Sequence, residues 1–179
     1  MNNDIQEVLF SKNEIEQKVK ELAKQISEDY KGKNLLVIGI LKGSVFFTCD
    51  LVRFLDIPCR VEFMQVSSYG DNAVSSGNVN IVSDISFSLD GYDVLILEDI
   101  IETGTTLAFL SNLILNRGAK SVKICSFLHK PDSRKLAVDV SYFGFETPDE
   151  FLVGYGLDYA QKYRQLPFIA VLKQEIYQS

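Results

Sequence analysis

The sequence predicts an α/β fold with a mostly parallel central sheet flanked by helices, on three observations. Residues 35–40 and 94–97 are apolar runs of strand length, too short for helices, and residues 121–128 supply another. Between them lie stretches with helical apolar spacing, such as Ile15, Val19, Leu22 and Ile26, or Leu107, Leu110, Leu113 and Ile114. The turns from strand into helix are short and rich in glycine and hydroxyl groups, at Leu41-Lys42-Gly43-Ser44 and Thr103-Gly104-Thr105-Thr106. Strands alternating with helices indicate a parallel sheet whose ligands sit at the carboxyl ends of the strands.

Taken in order, Ser11-Lys12-Asn13-Glu14 is a capping-box pattern, and the amphipathic helix it opens stops at Lys31-Gly32. Residues 35–40 form a buried strand, and residues 45–55 read as a helix with Phe46, Phe47, Leu51 and Phe54 among its apolar positions. Strand, glycine turn and helix make an anion site, although the spacing of a Walker loop is absent. By itself Lys42 reads as an ordinary exposed lysine. Residues 58–66 read as a strand with Val61 and Phe63 alternating against Arg60 and Glu62. The polar stretch 67–77 has a length at which structureless loops are either functional or disordered, and residues 78–90 read as a returning strand and connection.

Residues 94–97 are the central strand, and the helix after it ends at Arg117-Gly118. Residues 121–128 lead into His129-Lys130-Pro131, where Lys130 reads as a loop lysine. Residues 137–145 are aromatic and β-branched, Thr147-Pro148-Asp149-Glu150 turns the chain, residues 151–159 read as a core strand with a tyrosine edge, and residues 168–172 look like a final strand. With no internal repeat, low-complexity tract or linker, the 179 residues read as one domain.

Composition narrows the chemistry. A net charge of −6 and a pI near 4.8 argue against nucleic-acid binding, which needs a basic face. Cys49, Cys59 and Cys125 form no Cys-x-x-Cys pair and read as free thiols in a reducing compartment. The N-terminus lacks the basic and apolar regions of a secretory signal, and no apolar run approaches membrane-spanning length, so a cytoplasmic protein is expected. His129 is the single histidine, which disfavours a zinc site or a histidine-based triad.

The chemistry concentrates in residues 94–107. An apolar strand ends in Glu98 and Asp99, then comes Glu102, then the turn Thr103-Gly104-Thr105-Thr106 at a helix start. Unpartnered N–H groups there, helped by threonine hydroxyls, suit a phosphate, whereas the acids suit hydroxyls, a cation or a developing positive charge. Glu98-Asp99 alone reads as an acidic strand end at a solvated sheet edge. The whole string Val-Leu-Ile-Leu-Glu-Asp-Ile-Ile-Glu-Thr-Gly-Thr-Thr-Leu resembles the phosphoribosyl diphosphate motif of type I phosphoribosyltransferases, and the Leu-Lys-Gly turn, Ser68-Tyr69, Lys130 and the segment from Phe151 to Asp158 resemble further elements of their purine members.

That resemblance implies a core over about residues 30–145, and a small hood from about 146–179 plus the N-terminal segment, set over the C-terminal strand ends. It implies purine salvage, in which a 6-oxopurine such as hypoxanthine or guanine displaces pyrophosphate from 5-phosphoribosyl 1-diphosphate. Glu98 and Asp99 would bind the ribose, and Glu102, Thr103, Gly104, Thr105 and Thr106 the 5′-phosphate. Leu41, Lys42, Gly43 and Arg164 would hold pyrophosphate, with the Leu41–Lys42 peptide cis. Lys130, Phe151, Leu152 and Asp158 would bind the purine, Ser68 and Tyr69 would root a water-excluding lid, and Asp158, Glu98 and Asp99 would hold Mg²⁺. Glu102 would be the catalytic base for the purine N7 proton. Close relatives usually carry aspartate there, and a lysine in some relatives is Thr105 here. The resemblance also implies a homodimer or homotetramer, with no nucleic-acid or membrane partner. Two other readings remain: a nucleotide- or PRPP-sensing regulatory protein of the same fold, and a phosphoribosyltransferase for xanthine or a pyrimidine.

Overall fold

The computed structural model describes residues 2–68, 79–130 and 139–178. Among these, six strands form the main sheet in the order β4-β3-β2-β5-β6-β7. These strands are β2 (Leu35–Leu41), β3 (Cys59–Ser68), β4 (Val79–Ser83), β5 (Asp93–Ile101), β6 (Ser121–His129) and β7 (Tyr142–Glu146). All neighbours pair in parallel except β3 with β4, which is antiparallel at the edge. Three helices interleave with them: α1 (Lys12–Asp29), α2 (Val45–Phe54) and α3 (Thr105–Asn116). The expected mostly parallel sheet flanked by helices is therefore the architecture of the chain.

Alternation along the strands divides the core. Leu35 and Val37 of β2 and Leu95 and Leu97 of β5 join the cluster built with α1 and α2, through Val19, Ile26, Phe47 and Leu51. Their neighbours Leu36, Ile38, Val94 and Ile96 join the cluster containing Leu107, Leu110 and Ile114 of α3. A strand buried on both faces must be apolar at every position, which is why these runs do not alternate. The α1 capping box forms as read: the Ser11 hydroxyl accepts from the Glu14 N–H at 3.4 Å, and the Ser11 N–H donates to Glu14 Oε2 at 2.8 Å. Such caps are worth about 1 kcal/mol.

Some details depart from the sequence reading. β1 (Ile5–Phe10) and β8 (Leu152–Val153) both pair antiparallel with β9 (Ile169–Leu172), and the short α4 (Gln174–Tyr177) follows. Neither β1 nor α4 is evident from pattern. β5 runs on through Glu98, Asp99 and Ile101, so the acids lie within the strand rather than beyond it. Val61 stays 36% exposed. Phe46 and Phe54 stay about as exposed, at 41% and 40%. Phe46 lies about 100° round the helix from buried Phe47, and Phe54 is the final helical residue. Tyr69 and residues 70–77 of the expected lid, together with Ala137, lie outside the described residues.

Candidate active site

The C-terminal ends of β2 and β5 face a cleft of about 380 Å³. Its lining joins Leu41, Lys42 and Gly43 after β2 with Glu98, Asp99, Glu102, Thr103, Gly104 and Thr106 around the end of β5, and with Asp158 and Arg164 from the chain between β8 and β9. The carboxyl ends of the parallel neighbours β2 and β5 thus meet a segment more than 100 positions beyond β2.

Each group is held by local physics. The Leu41–Lys42 peptide is cis, as the resemblance implies. A Cβ on Gly43 would overlap the Asp99 carboxylate, and one on Gly156 would overlap the Gly43 carbonyl oxygen, so these glycines allow the turn after β2 to lie between the Asp99 side chain of β5 and the chain at Gly156. Gly104 sits at φ +78 as the N-cap of α3, without a capping side chain. The first N–H groups of α3 form the positive end of its dipole, where Gly104 and Thr106 line the cleft; the Thr105 N–H reaches the Thr103 hydroxyl at 3.5 Å, and the Thr103 and Thr105 hydroxyls are 3.3 Å apart.

Glu98 and Asp99 are partly buried neighbours. Burial, then the adjacent Asp99 charge, raises the Glu98 pKa well above the usual carboxylate range. Burial raises Asp99 as well, opposed by its hydrogen bond with Glu98, the Ile100 N–H at 2.9 Å and the field of Arg164. Two acids crowded in this way gain from positive charge arriving in the cleft.

Arg164 Nη2 lies 2.6 Å from Asp158 Oδ1, and its Nη1 donates to the Gly156 carbonyl at 2.6 Å. Gln161 Oε1 accepts from Lys42 Nζ at 3.3 Å and from Arg164 Nη2 at 3.4 Å. Buried Lys130 reaches Glu102 Oε1 at 3.4 Å and Asp149 Oδ1 at 3.5 Å, so the expected base-binding lysine and catalytic acid do meet.

Other expected groupings do not form. Asp158, Glu98 and Asp99 line one cleft but make no cage: among the described residues, no three ligating side chains stand together closely enough to hold a metal ion. Asp158 pairs instead with Arg164. Phe151 and Leu152 are not part of the cleft lining. The Phe151 ring stacks on Tyr177 at 4.8 Å and meets Tyr159 edge-on at 5.6 Å, while Leu152 is buried in β8. Ser68 ends β3 opposite Val79, and Thr105 opens α3. Asp149 and Gln161 escaped the sequence reading, since an exposed polar residue in a turn carries no local sign of a distant partner.

A model of the phosphoribosyl transferase domain family matches residues 6–160. The chain is 49% identical over 179 residues to the hypoxanthine-guanine phosphoribosyltransferase of Bacillus subtilis, covering 100% of this chain and 99% of that protein. It is 51% identical over 177 residues to the bifunctional protein TilS/HprT of Listeria innocua, covering 99% of this chain but only 27% of that longer protein. The chain thus spans about a quarter of such relatives. Among solved structures, a hypoxanthine phosphoribosyltransferase from Staphylococcus aureus superimposes with a TM-score of 0.96 at 46% identity, covering 100% of this chain and 97% of the other.

Proposed function

Because the chain belongs to the phosphoribosyl transferase domain family, we propose that it transfers the 5-phosphoribosyl group of 5-phospho-α-D-ribose 1-diphosphate to hypoxanthine, and to guanine, releasing pyrophosphate. The observation that carries this reading is the single cleft shared by a crowded acid pair, a threonine-lined helix start and the cations Lys42 and Arg164. Those three features match a ribose centre, a 5′-phosphate and a diphosphate.

As the purine N9 bonds to the anomeric carbon and the C–O bond to pyrophosphate breaks, positive charge grows on the sugar and negative charge on the leaving group. Glu98 and Asp99, holding the ribose hydroxyls, stabilise the first. Lys42, the Gly43 backbone and Arg164 stabilise the second. The N–H groups and hydroxyls at Thr103, Gly104, Thr105 and Thr106 hold the 5′-phosphate with neutral donors. Lys130 donates to the purine O6, and Glu102, already beside it, takes the N7 proton. Phe151 offers its ring to the base, and the Leu152 backbone bonds the purine edge. Asp158 lines the diphosphate side.

Mg²⁺ fits this donor set, since it keeps several waters and takes one or two carboxylates with substrate phosphates rather than a cage built by protein alone. Asp158, Glu98 and Asp99 would hold it, and when bound it would neutralise the departing diphosphate. A cytoplasmic homodimer or homotetramer is part of the proposal. No described helix is long and apolar enough to cross a membrane.

The test is to mix the protein with the activated sugar, Mg²⁺ and hypoxanthine, guanine or xanthine, and to measure pyrophosphate release. Release with hypoxanthine is expected. No release with any base overturns the transferase reading and leaves the regulatory one, and release with xanthine alone corrects the substrate.

A further inference from the structure

We propose that Gln161 is a positioning residue that aims Lys42 and Arg164 at one point and so pre-organises the diphosphate subsite. The proposal rests on the transferase reading above and goes beyond it, since neither the fold nor the motif names this residue. Its side-chain oxygen is the meeting point of both cations, at 3.3 Å from Lys42 Nζ and 3.4 Å from Arg164 Nη2. The Lys42 contact joins residues 119 apart in sequence.

The backbone at this position is built to present the side chain. Tyr159 and Lys162 exchange backbone hydrogen bonds across a tight turn, whose central residues Ala160 and Gln161 sit at φ 49 and 63. Both central residues are left-handed, as in the hairpin turns that ordinarily use asparagine and glycine. The Gln161 N–H donates to Asp158 Oδ2 at 2.8 Å, so the carboxylate that pairs with Arg164 also holds the turn. Gly156, at φ 106, lets this loop lie directly on the Gly43 carbonyl.

An amide oxygen suits this task because it accepts from two cations without neutralising either. Two like charges brought together repel, and a long lysine side chain loses rotamer freedom when it is fixed. Gln161 meets part of that cost in the free protein, and an anion with several charges readily displaces a neutral acceptor. Glutamate at this position would keep the geometry and cancel the charge.

The experiment uses the full chain with Gln161→Ala, Gln161→Gly and Gln161→Glu. Its readouts are kcat, KM for the activated sugar, KM for hypoxanthine, and calorimetric Kd for inorganic pyrophosphate with Mg²⁺. Alanine and glycine should each raise the sugar KM and the pyrophosphate Kd about tenfold, the scale of one hydrogen bond to a charged group. The hypoxanthine KM should stay within about twofold and the melting temperature should hold. Glutamate should weaken both diphosphate ligands further than alanine does. In a Lys42→Met background, Gln161→Ala should cost much less than in the wild type, an outcome a general packing role would not produce.

Wild-type diphosphate binding in the alanine and glycine variants overturns the proposal. Recovery by glycine but not alanine also overturns it, because backbone strain would then be the cause, and so does a parallel rise in the hypoxanthine KM. If the wild type releases no pyrophosphate, the transferase reading falls while the pyrophosphate calorimetry still decides the role of Gln161.

Discussion

Strand β5 carries acids at both ends, and its surroundings treat them oppositely. At the N-terminal end, Asp93 is 4% exposed, yet its Oδ1 accepts from the Ser121 hydroxyl at 2.6 Å and Lys120 Nζ stands 3.9 Å from Oδ2. That acid ties β5 to the start of β6. At the C-terminal end, Glu98 and Asp99 are set side by side, with burial pushing both toward the protonated form. The chain holds the first acid through Oδ1, although its buried Oδ2 accepts no hydrogen bond, whereas the other two stand together at a cleft. An acid tied to its own chain is structural, and a crowded pair at a cleft is available to a ligand.

The comparison breaks most sharply at the cleft end. Glu102→Gln should lower kcat by about 100-fold or more, the usual range for a lost general base, and Glu102→Asp much less. Equal turnover of Gln and wild type in steady-state assays would remove the base from this position. Asp99→Asn and Gly43→Ala should each cost on the order of 100-fold in kcat/KM. The first removes charge from the proposed ribose site, and the second drives a methyl group into the same carboxylate. An active Gly43→Ala variant would mean that the Asp99 side chain gives way at little cost.

Stability should move the other way. A raised Glu98 pKa means that the folded chain binds this proton more tightly than the unfolded chain. The group therefore supports folding below the ordinary carboxylate range and withdraws that support as pH rises through its folded value. Glu98→Gln cannot ionise, so it should melt a few degrees above wild type at neutral pH, about 3 °C being worth 1 kcal/mol at this size. The gap should close on acidification, and thermal scans across pH that show no such convergence would refute the assignment. The smallest catalytic effect belongs to the other end of the strand. Asp93→Asn should leave kcat/KM within about twofold while costing about 1–3 kcal/mol of stability, measured by urea unfolding.

The same strand shows how far sequence reading reaches. Residues 94–107 were legible because strand, acids, turn and helix start are contiguous, and each acts on groups only a few positions away. The Ser11 cap was legible for the same reason. β1 was not: Gln6 and Glu7 interrupt its apolar residues, and it becomes a strand by pairing with β9, its register running from Ile5 opposite Leu172 to Phe10 opposite Ile169. The packing of Phe151 against Tyr177 and the second carboxylate on Lys130 also depend on partners that no local pattern announces.

What the sequence alone determined is the alternation of strand and helix, the doubly buried centre of the sheet and the phosphate-type turn, since apolar spacing and unpaired helix-start N–H groups are properties of neighbouring residues. Only the tertiary structure decided that Lys42 meets Gln161, that Gly43 lies between Asp99 and Gly156, and that Arg164 takes up Asp158. Those contacts arise when the chain between β8 and β9 folds against the gathered carboxyl ends of β2 and β5, and before that folding no energy distinguishes these residues from ordinary surface polar groups.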